Sequence, residues 1–167
     1  MKKNGQQQAA PADNAHAKRQ VLSNRRARHE YSIEDTFDAG LALGGTEVKS
    51  IRAGKANLQD AFCKIEDGEV WLYNMYVAPF EHGTHWNLEP RRKRKLLLHR
   101  REIDVLRTKM EQKGLALIPL NLYFQHGYAK LELGLGRGKK LYDKREDIAS
   151  RDAEREQRRE FATRQRE

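Results

Sequence analysis

Side chains able to do covalent chemistry are few in this 167-residue chain, and their spacing suits catalysis poorly. Cys63 is the lone cysteine, set between Phe62 and Lys64 in an alternating run with no partner histidine nearby, and it reads as a buried structural thiol. One cysteine also excludes an internal disulfide, a cysteine-rich zinc site and a CxxC redox pair. Glu81, His82 and His85 have a spacing that a metal could use, so a small hydrolase is one reading of them. The helix of an HExxH site and a third ligand at a telling distance are missing, and a polar surface loop explains the residues more simply. Gly134-Leu135-Gly136-Arg137-Gly138-Lys139-Lys140 has the look of a phosphate loop, but Leu133 stands where that pattern needs its first glycine. Neither an enzyme nor a cofactor is expected.

Chemistry directed at a polyanion is better represented. The chain carries 33 Lys and Arg against 24 Asp and Glu, a net of +9. Residues 1–28 hold seven basic residues and one acid, while residues 139–167 are nearly balanced, with ten against eight. Inside an almost neutral middle, Arg91 to Arg101 holds seven basic residues and no acid. A compact body with one basic stripe is polarised, and such a field orients a polyanion as well as attracting it. Arg92 and Arg94 are the stripe's candidate phosphate contacts. The glycines of 134–138 would let a phosphate backbone approach the main chain, with Arg137, Lys139 and Lys140 supplying charge beside it. Tyr123, Tyr128, Tyr142, Trp71 and Trp86 are candidate stacking surfaces for bases. Tyr142 is the best placed of these, because it lies in a polar tail among Lys139, Lys140, Lys144 and Arg145.

Several short elements must position these groups. Residues 1–24 are rich in Gln, Ala and Asn without an apolar period, and a disordered N-terminal extension is expected there. Tyr31 and Ile33 begin a half-buried strand, Gly40 opens a second one, and Thr46 can cap a short helix bearing Val48 and Ile51. Asp67-Gly68 joins two β-rich runs in a type I′ hairpin. Ile103, Leu106 and Met110 repeat at helical spacing and stop at Gly114. Leu120, Leu122 and Phe124 alternate with polar residues, and alternation resumes after His126-Gly127; Pro119 marks an edge or a strand start. Mainly β structure with peripheral helices suggests a small closed antiparallel barrel over residues 25–138. Residues 139–167 have many charges and little apolar content. The tail is expected to be disordered when free and helical on a partner, since its i,i+4 ion pairs are too weak to fold it alone. The longest apolar run, Leu115 to Leu120, is far short of the about 20 residues of a membrane span. Met1-Lys2-Lys3 leads into Gln and Asn, not an apolar signal segment, so a cytoplasmic protein is expected.

Four blocks in order give these features a family. Arg26-Ala27-Arg28-His29-Glu30-Tyr31 and Gly45-Thr46-Glu47-Val48-Lys49-Ser50-Ile51-Arg52-Ala53-Gly54-Lys55-Ala56-Asn57-Leu58 resemble the SsrA-binding protein family. So do Arg94-Lys95-Leu96-Leu97-Leu98-His99 and Gly138-Lys139-Lys140-Leu141-Tyr142-Asp143-Lys144-Arg145-Glu146-Asp147-Ile148. The resemblance implies an oligonucleotide-binding-like barrel that binds the tRNA-like domain of transfer-messenger RNA. It further implies delivery to stalled ribosomes for trans-translation, with elongation factor Tu in the delivery complex. RNA contacts would fall on Asp38, Leu97, His99, Lys130 and Gly138. The tail would lie near the decoding centre of the small subunit and in the message channel, with Tyr142, Asp143, Lys144 and Arg145 as its working residues. Composition alone also allows a generic single-stranded nucleic-acid-binding barrel.

Overall fold

A computed structural model describes residues 19–164; the expected extension before residue 19 and the last three residues lie outside them. The chain runs through β1 (Arg19–Ser23), α1 (Arg25–Glu30), β2 (Tyr31–Leu41), α2 (Gly45–Arg52) and β3 (Ala56–Asn57). Then come β4 (Phe62–Glu66), β5 (Glu69–Tyr73), β6 (Tyr76–Val77) and β7 (Arg94–Leu97). It closes with α3 (Arg100–Lys113), β8 (Ala116–Gln125), β9 (Tyr128–Gly138) and α4 (Leu141–Arg164).

The first element revises the expected extension. Arg19 lies opposite Phe124 and Ser23 opposite Asn121, so β1 pairs with β8 inside the segment 1–24. Val21 and Leu22 pack on the core, and the buried Asn24 side-chain amide donates to the carbonyls of Leu58 and Pro119, each at 3.1 Å. Two apolar side chains and one buried amide therefore anchor residues that composition alone read as solvated. Asn24 also caps α1, its Oδ1 accepting from the Ala27 N–H at 3.1 Å.

Seven strands form one antiparallel sheet in the order β1-β8-β9-β2-β7-β5-β4, with β3 and β6 pairing separately. No ladder joins β4 to β1, so the sheet is open and the closed barrel expected from the sequence is not formed. β4 instead comes alongside the first half of β8, leaving a cleft of about 410 Å³ between Phe62–Lys64, Ala116–Ile118 and α1. At this seam β8 carries Pro119, which has no N–H to share, and a bulge follows between Pro119 and Asn121.

The bulge also decides what β8 buries. Leu115 and Leu117 face the main core before it, and Leu122 and Phe124 face the core after it. Leu120, expected beside them, turns outward with Ile118 into a small cluster under Ala27 of α1. Ala39, Val70, Leu72, Leu131, Leu133 and Leu135 fill the main core, joined by Ile51 of α2 and Leu106 of α3. Both expected turns have positive φ at their two central residues, 50° and 75° at Asp67-Gly68 and 51° and 80° at His126-Gly127. α4 exposes Leu141, Tyr142, Ile148 and Phe161. No described helix is long and apolar enough to cross a membrane.

Candidate nucleic-acid interface

Strand register sets the first zone. Gly40 of β2 pairs with Lys130 of β9 on one side and Leu97 of β7 on the other, which puts these three in one row on the outer face. Asp38 stands two residues from Gly40 on that face, opposite Glu132. Leu97 is 54 % exposed, an uncommon state for leucine in a strand whose neighbour Leu96 is buried. His99, exposed, follows at the N-terminus of α3, where its backbone N–H donates to Glu102 Oε2 at 2.8 Å. Lys130 Nζ donates to Gln125 Oε1 at 3.1 Å. Asp38, Leu97, His99 and Lys130, spread over 93 residues of sequence, thus share one strip. Tyr123, expected as a stacking surface, stands opposite Lys130 in the same row but is buried. Burial, and then the hydrogen bond and charge of Asp38, raise the Tyr123 phenol well above its ordinary value, so this ring positions Asp38 and offers no face to a base.

The far end of β9 makes the second zone. Eight residues of strand, about 26 Å, separate Gly138 from Lys130, so the expected contacts divide into two groups. Gly138, opposite Tyr31, is exposed, with open space where a Cβ would stand. Gly134 and Gly136 serve packing instead. A Cβ at Gly134 would meet Leu120 Cδ1 at 2.9 Å, and one at Gly136 would meet the Ser32 carbonyl oxygen at 2.3 Å. Of the three glycines, then, only Gly138 is open to a phosphate backbone. Arg137 is exposed and donates to the Lys113 carbonyl at 3.3 Å. Lys139 joins tail to body: its N–H donates to the Glu30 carbonyl at 2.8 Å, and its ammonium pairs with Asp147. The Lys139 hydrogen bond holds the Asp147 carboxyl below the usual range. The Lys140 N–H donates to Asp143 Oδ2 at 3.2 Å, which caps the start of α4. Tyr142 and Arg145 are exposed beyond it, and Lys144 half-buried.

The basic stripe 91–101 is not the uniform cationic surface its sequence suggests. Arg94 is fully buried. Its Nε donates to Glu47 Oε1 at 2.9 Å, and its other nitrogens donate to the carbonyls of Met75, Arg92 and Pro90 at 2.7, 3.0 and 3.1 Å. Arg92 reaches the same carboxylate, with Nε to Oε1 at 3.0 Å and a terminal nitrogen to Oε2 at 2.5 Å. Arg94 is therefore corrected from a phosphate contact to an internal ion-pair partner, and Arg92 spends much of its charge the same way. Lys95 pairs with Glu69, and Lys93 lies 4.0 Å from Glu66. The sequence reading missed Glu47. Burial pushes its carboxyl up, yet the Arg92 hydrogen bond, the Gly44 N–H at 2.8 Å and two guanidinium charges hold it below the ordinary value. Glu47 also closes the first turn of α2, the capping role expected of Thr46, whose hydroxyl instead donates to the Trp86 carbonyl at 3.2 Å. A glutamate three residues after Gly44 was the available signal.

Groups considered for catalysis are occupied otherwise. Burial raises the Cys63 thiol far above its ordinary value, away from the thiolate a nucleophile needs. Glu81 pairs with Lys55 at 2.5 Å, and His82 meets Phe80 edge-on with ring centres 5.6 Å apart. Among the described residues no three His, Cys, Asp or Glu side chains gather as metal ligands would.

A curled antiparallel sheet that exposes a mixed apolar and charged strip, with a basic strand end feeding a charged helix, defines a surface-recognition protein. Comparison with known proteins narrows this further. Residues 21–163 match the family model described as SmpB protein. The SsrA-binding protein of Pelotomaculum thermopropionicum is 63 % identical over 136 residues, 81 % of this chain and 89 % of that one. That of Desulforamulus reducens is 54 % identical over 158 residues, covering 94 % and 98 %. A solved structure reported as "tmRNA-SmpB: a journey to the center of the bacterial ribosome" has 59 % identity and a TM-score of 0.60, and the match covers 72 % of this chain and 85 % of that one. The chain belongs to the SmpB family of SsrA-binding proteins.

Proposed function

We propose that this protein binds the tRNA-like domain of transfer-messenger RNA and brings it to stalled ribosomes, where trans-translation frees the ribosome and tags the unfinished protein. The carrying observation is the row Lys130–Gly40–Leu97 with Asp38 beside it. Lys130 and the exposed Leu97, flanking Gly40, offer an RNA an ammonium and an apolar contact on one face of the sheet, while Asp38 accepts from sugar or base donors. Family membership and the 59 % identical tmRNA-SmpB structure support the choice of RNA.

In this reading the body, residues 25–138, is an open relative of the oligonucleotide-binding barrel, extended by β1. It holds transfer-messenger RNA through Asp38, Leu97, His99 and Lys130. The strand end at Arg137, Gly138, Lys139 and Lys140 adds a second group of contacts to that RNA, and the tail residues Tyr142, Asp143, Lys144 and Arg145 face ribosomal RNA at the decoding centre. Leu141, Tyr142, Ile148 and Phe161 of α4 are exposed, so its helix is marginal alone and gains full stability in the message channel. Elongation factor Tu completes the delivery complex, and the site of action is the bacterial cytoplasm. Competition binding of the full chain tests the reading: the folded tRNA-like domain should outcompete poly-U by at least tenfold. Equal affinity for both would leave only a generic single-strand binder.

A further inference from the structure

The outer face of the sheet continues past the strip onto β7, β5 and β4, and there its composition changes. Register aligns Phe62 with Tyr73 and Lys64 with Trp71 and Lys95, all on the face opposite the buried Cys63, Leu72 and Arg94. Phe62 and Tyr73 stack with ring centres 5.3 Å apart and planes 9° from parallel. Lys64 Nζ lies 5.5 Å from the Phe62 ring and 5.8 Å from that of Tyr73, and Lys93 Nζ lies 4.6 Å from the Trp71 ring. Phe62 is 37 % exposed, and Trp71 and Tyr73 are partly exposed. Three rings on one open sheet face, each with an ammonium against it, are more than the fold requires, since the core lies on the other side of the same strands.

We propose that this face, formed by Phe62, Lys64, Trp71, Tyr73, Lys93 and Lys95, is a stacking surface for unpaired RNA nucleotides, continuous with the strip at Leu97. Charge selects the occupant. Three lysines face two carboxylates, Glu66 and Glu69, which leaves cationic excess beside apolar ring area, the pairing that single-stranded nucleic acid needs. A base inserted on Phe62 or Trp71 replaces an ammonium at the ring, and the released lysine turns to the adjoining phosphate. Both attractions are therefore kept when the RNA arrives. Continuity supplies the second argument. Val70 pairs with Leu96, so Glu69 and Leu97 are cross-strand neighbours, and an RNA held at Lys130 and Leu97 passes directly onto the rings.

The inference rests on the proposed RNA-binding function, and the test separates the two. Trp71 fluorescence is followed in a Trp86→Phe background while a hexa-adenylate RNA is added, and binding of the folded tRNA-like domain is measured in parallel. The surface should show saturable quenching by the hexamer. Phe62→Ala with Trp71→Ala should weaken hexamer binding, followed by fluorescence anisotropy of a labelled RNA, by about tenfold or more. Trp71→Phe should retain it, and the circular dichroism melt should stay near that of the parent. Failure of the folded domain to bind the parent protein defeats the proposed function. Normal binding of the folded domain with no quenching, or a double alanine variant that binds the hexamer as tightly as its parent, defeats this inference alone. A double variant that binds both RNAs normally yet loses tagging would assign the face to a protein partner and equally overturn the proposal.

Discussion

Replacing Arg94 with alanine separates two accounts of the basic run. Were Arg94 a phosphate contact, its loss would cost RNA affinity and salt dependence but little stability. In the structure it is wholly buried, shares the Glu47 carboxylate with Arg92 and satisfies three backbone carbonyls. Its removal takes the fully buried partner from a carboxylate that then keeps only Arg92 and the Gly44 N–H, and it leaves those carbonyls without their donor, a lesion that costs about 3–5 kcal/mol. Against a domain stability of about 5–15 kcal/mol this is a large share. With a urea slope of about 1–3 kcal/mol/M, the unfolding midpoint should fall by about 2 M. Urea titration followed by circular dichroism measures it. Converting both, Glu47→Gln with Arg94→Met, should recover part of the loss, because the buried carboxylate charge is removed together with its buried partner. The same pair predicts a pH dependence. The Glu47 carboxyl titrates below its ordinary 4.5 in the folded protein, so its contribution is present above pH 4.5 and is lost as pH falls through the folded value. Glu47→Gln should flatten that acid limb. A midpoint shift under about 0.3 M for Arg94→Ala, together with a salt slope reduced by one unit, would refute this assignment and restore the phosphate contact.

Other perturbations separate the zones. Gly136→Ala should destabilise the fold by about 1–3 kcal/mol, since its Cβ would collide with the Ser32 carbonyl, whereas Gly138→Ala should melt like the parent and weaken only RNA binding. Lys130→Ala should lower RNA affinity and reduce the salt slope by about one unit, while Leu97→Ala should lower affinity with the slope unchanged; filter binding across a salt series distinguishes them. Ending the chain after Lys140 keeps the Lys139 bond to Glu30 and should leave binding of the tRNA-like domain within twofold, while tagging in a reconstituted translation reaction disappears. Loss of RNA binding in that truncation would contradict the two-zone division.

Local order in this protein is written in short-range patterns. The Asp67-Gly68 turn, the stop of α3 at Gly114 with φ of 61°, and the long β8–β9 hairpin each follow from a few adjacent residues, because turn chemistry and side-chain alternation act over neighbouring positions. Four blocks of residues likewise carried the family. What the chain order could not express was which distant strands meet. The open seam lies where β4 meets β8 without a ladder, a juxtaposition of segments about 50 residues apart. The inward or outward turn of Leu120 depends on the bulge after Pro119, and β1 depends on a partner about 100 residues away. Charge suffered most. A run of seven cations looks like a surface until a single glutamate, 45 and 47 residues earlier, is folded beneath Arg92 and Arg94. Sequence fixes the sign of a charge, but only tertiary contact determines whether water, RNA or a buried carboxylate receives it.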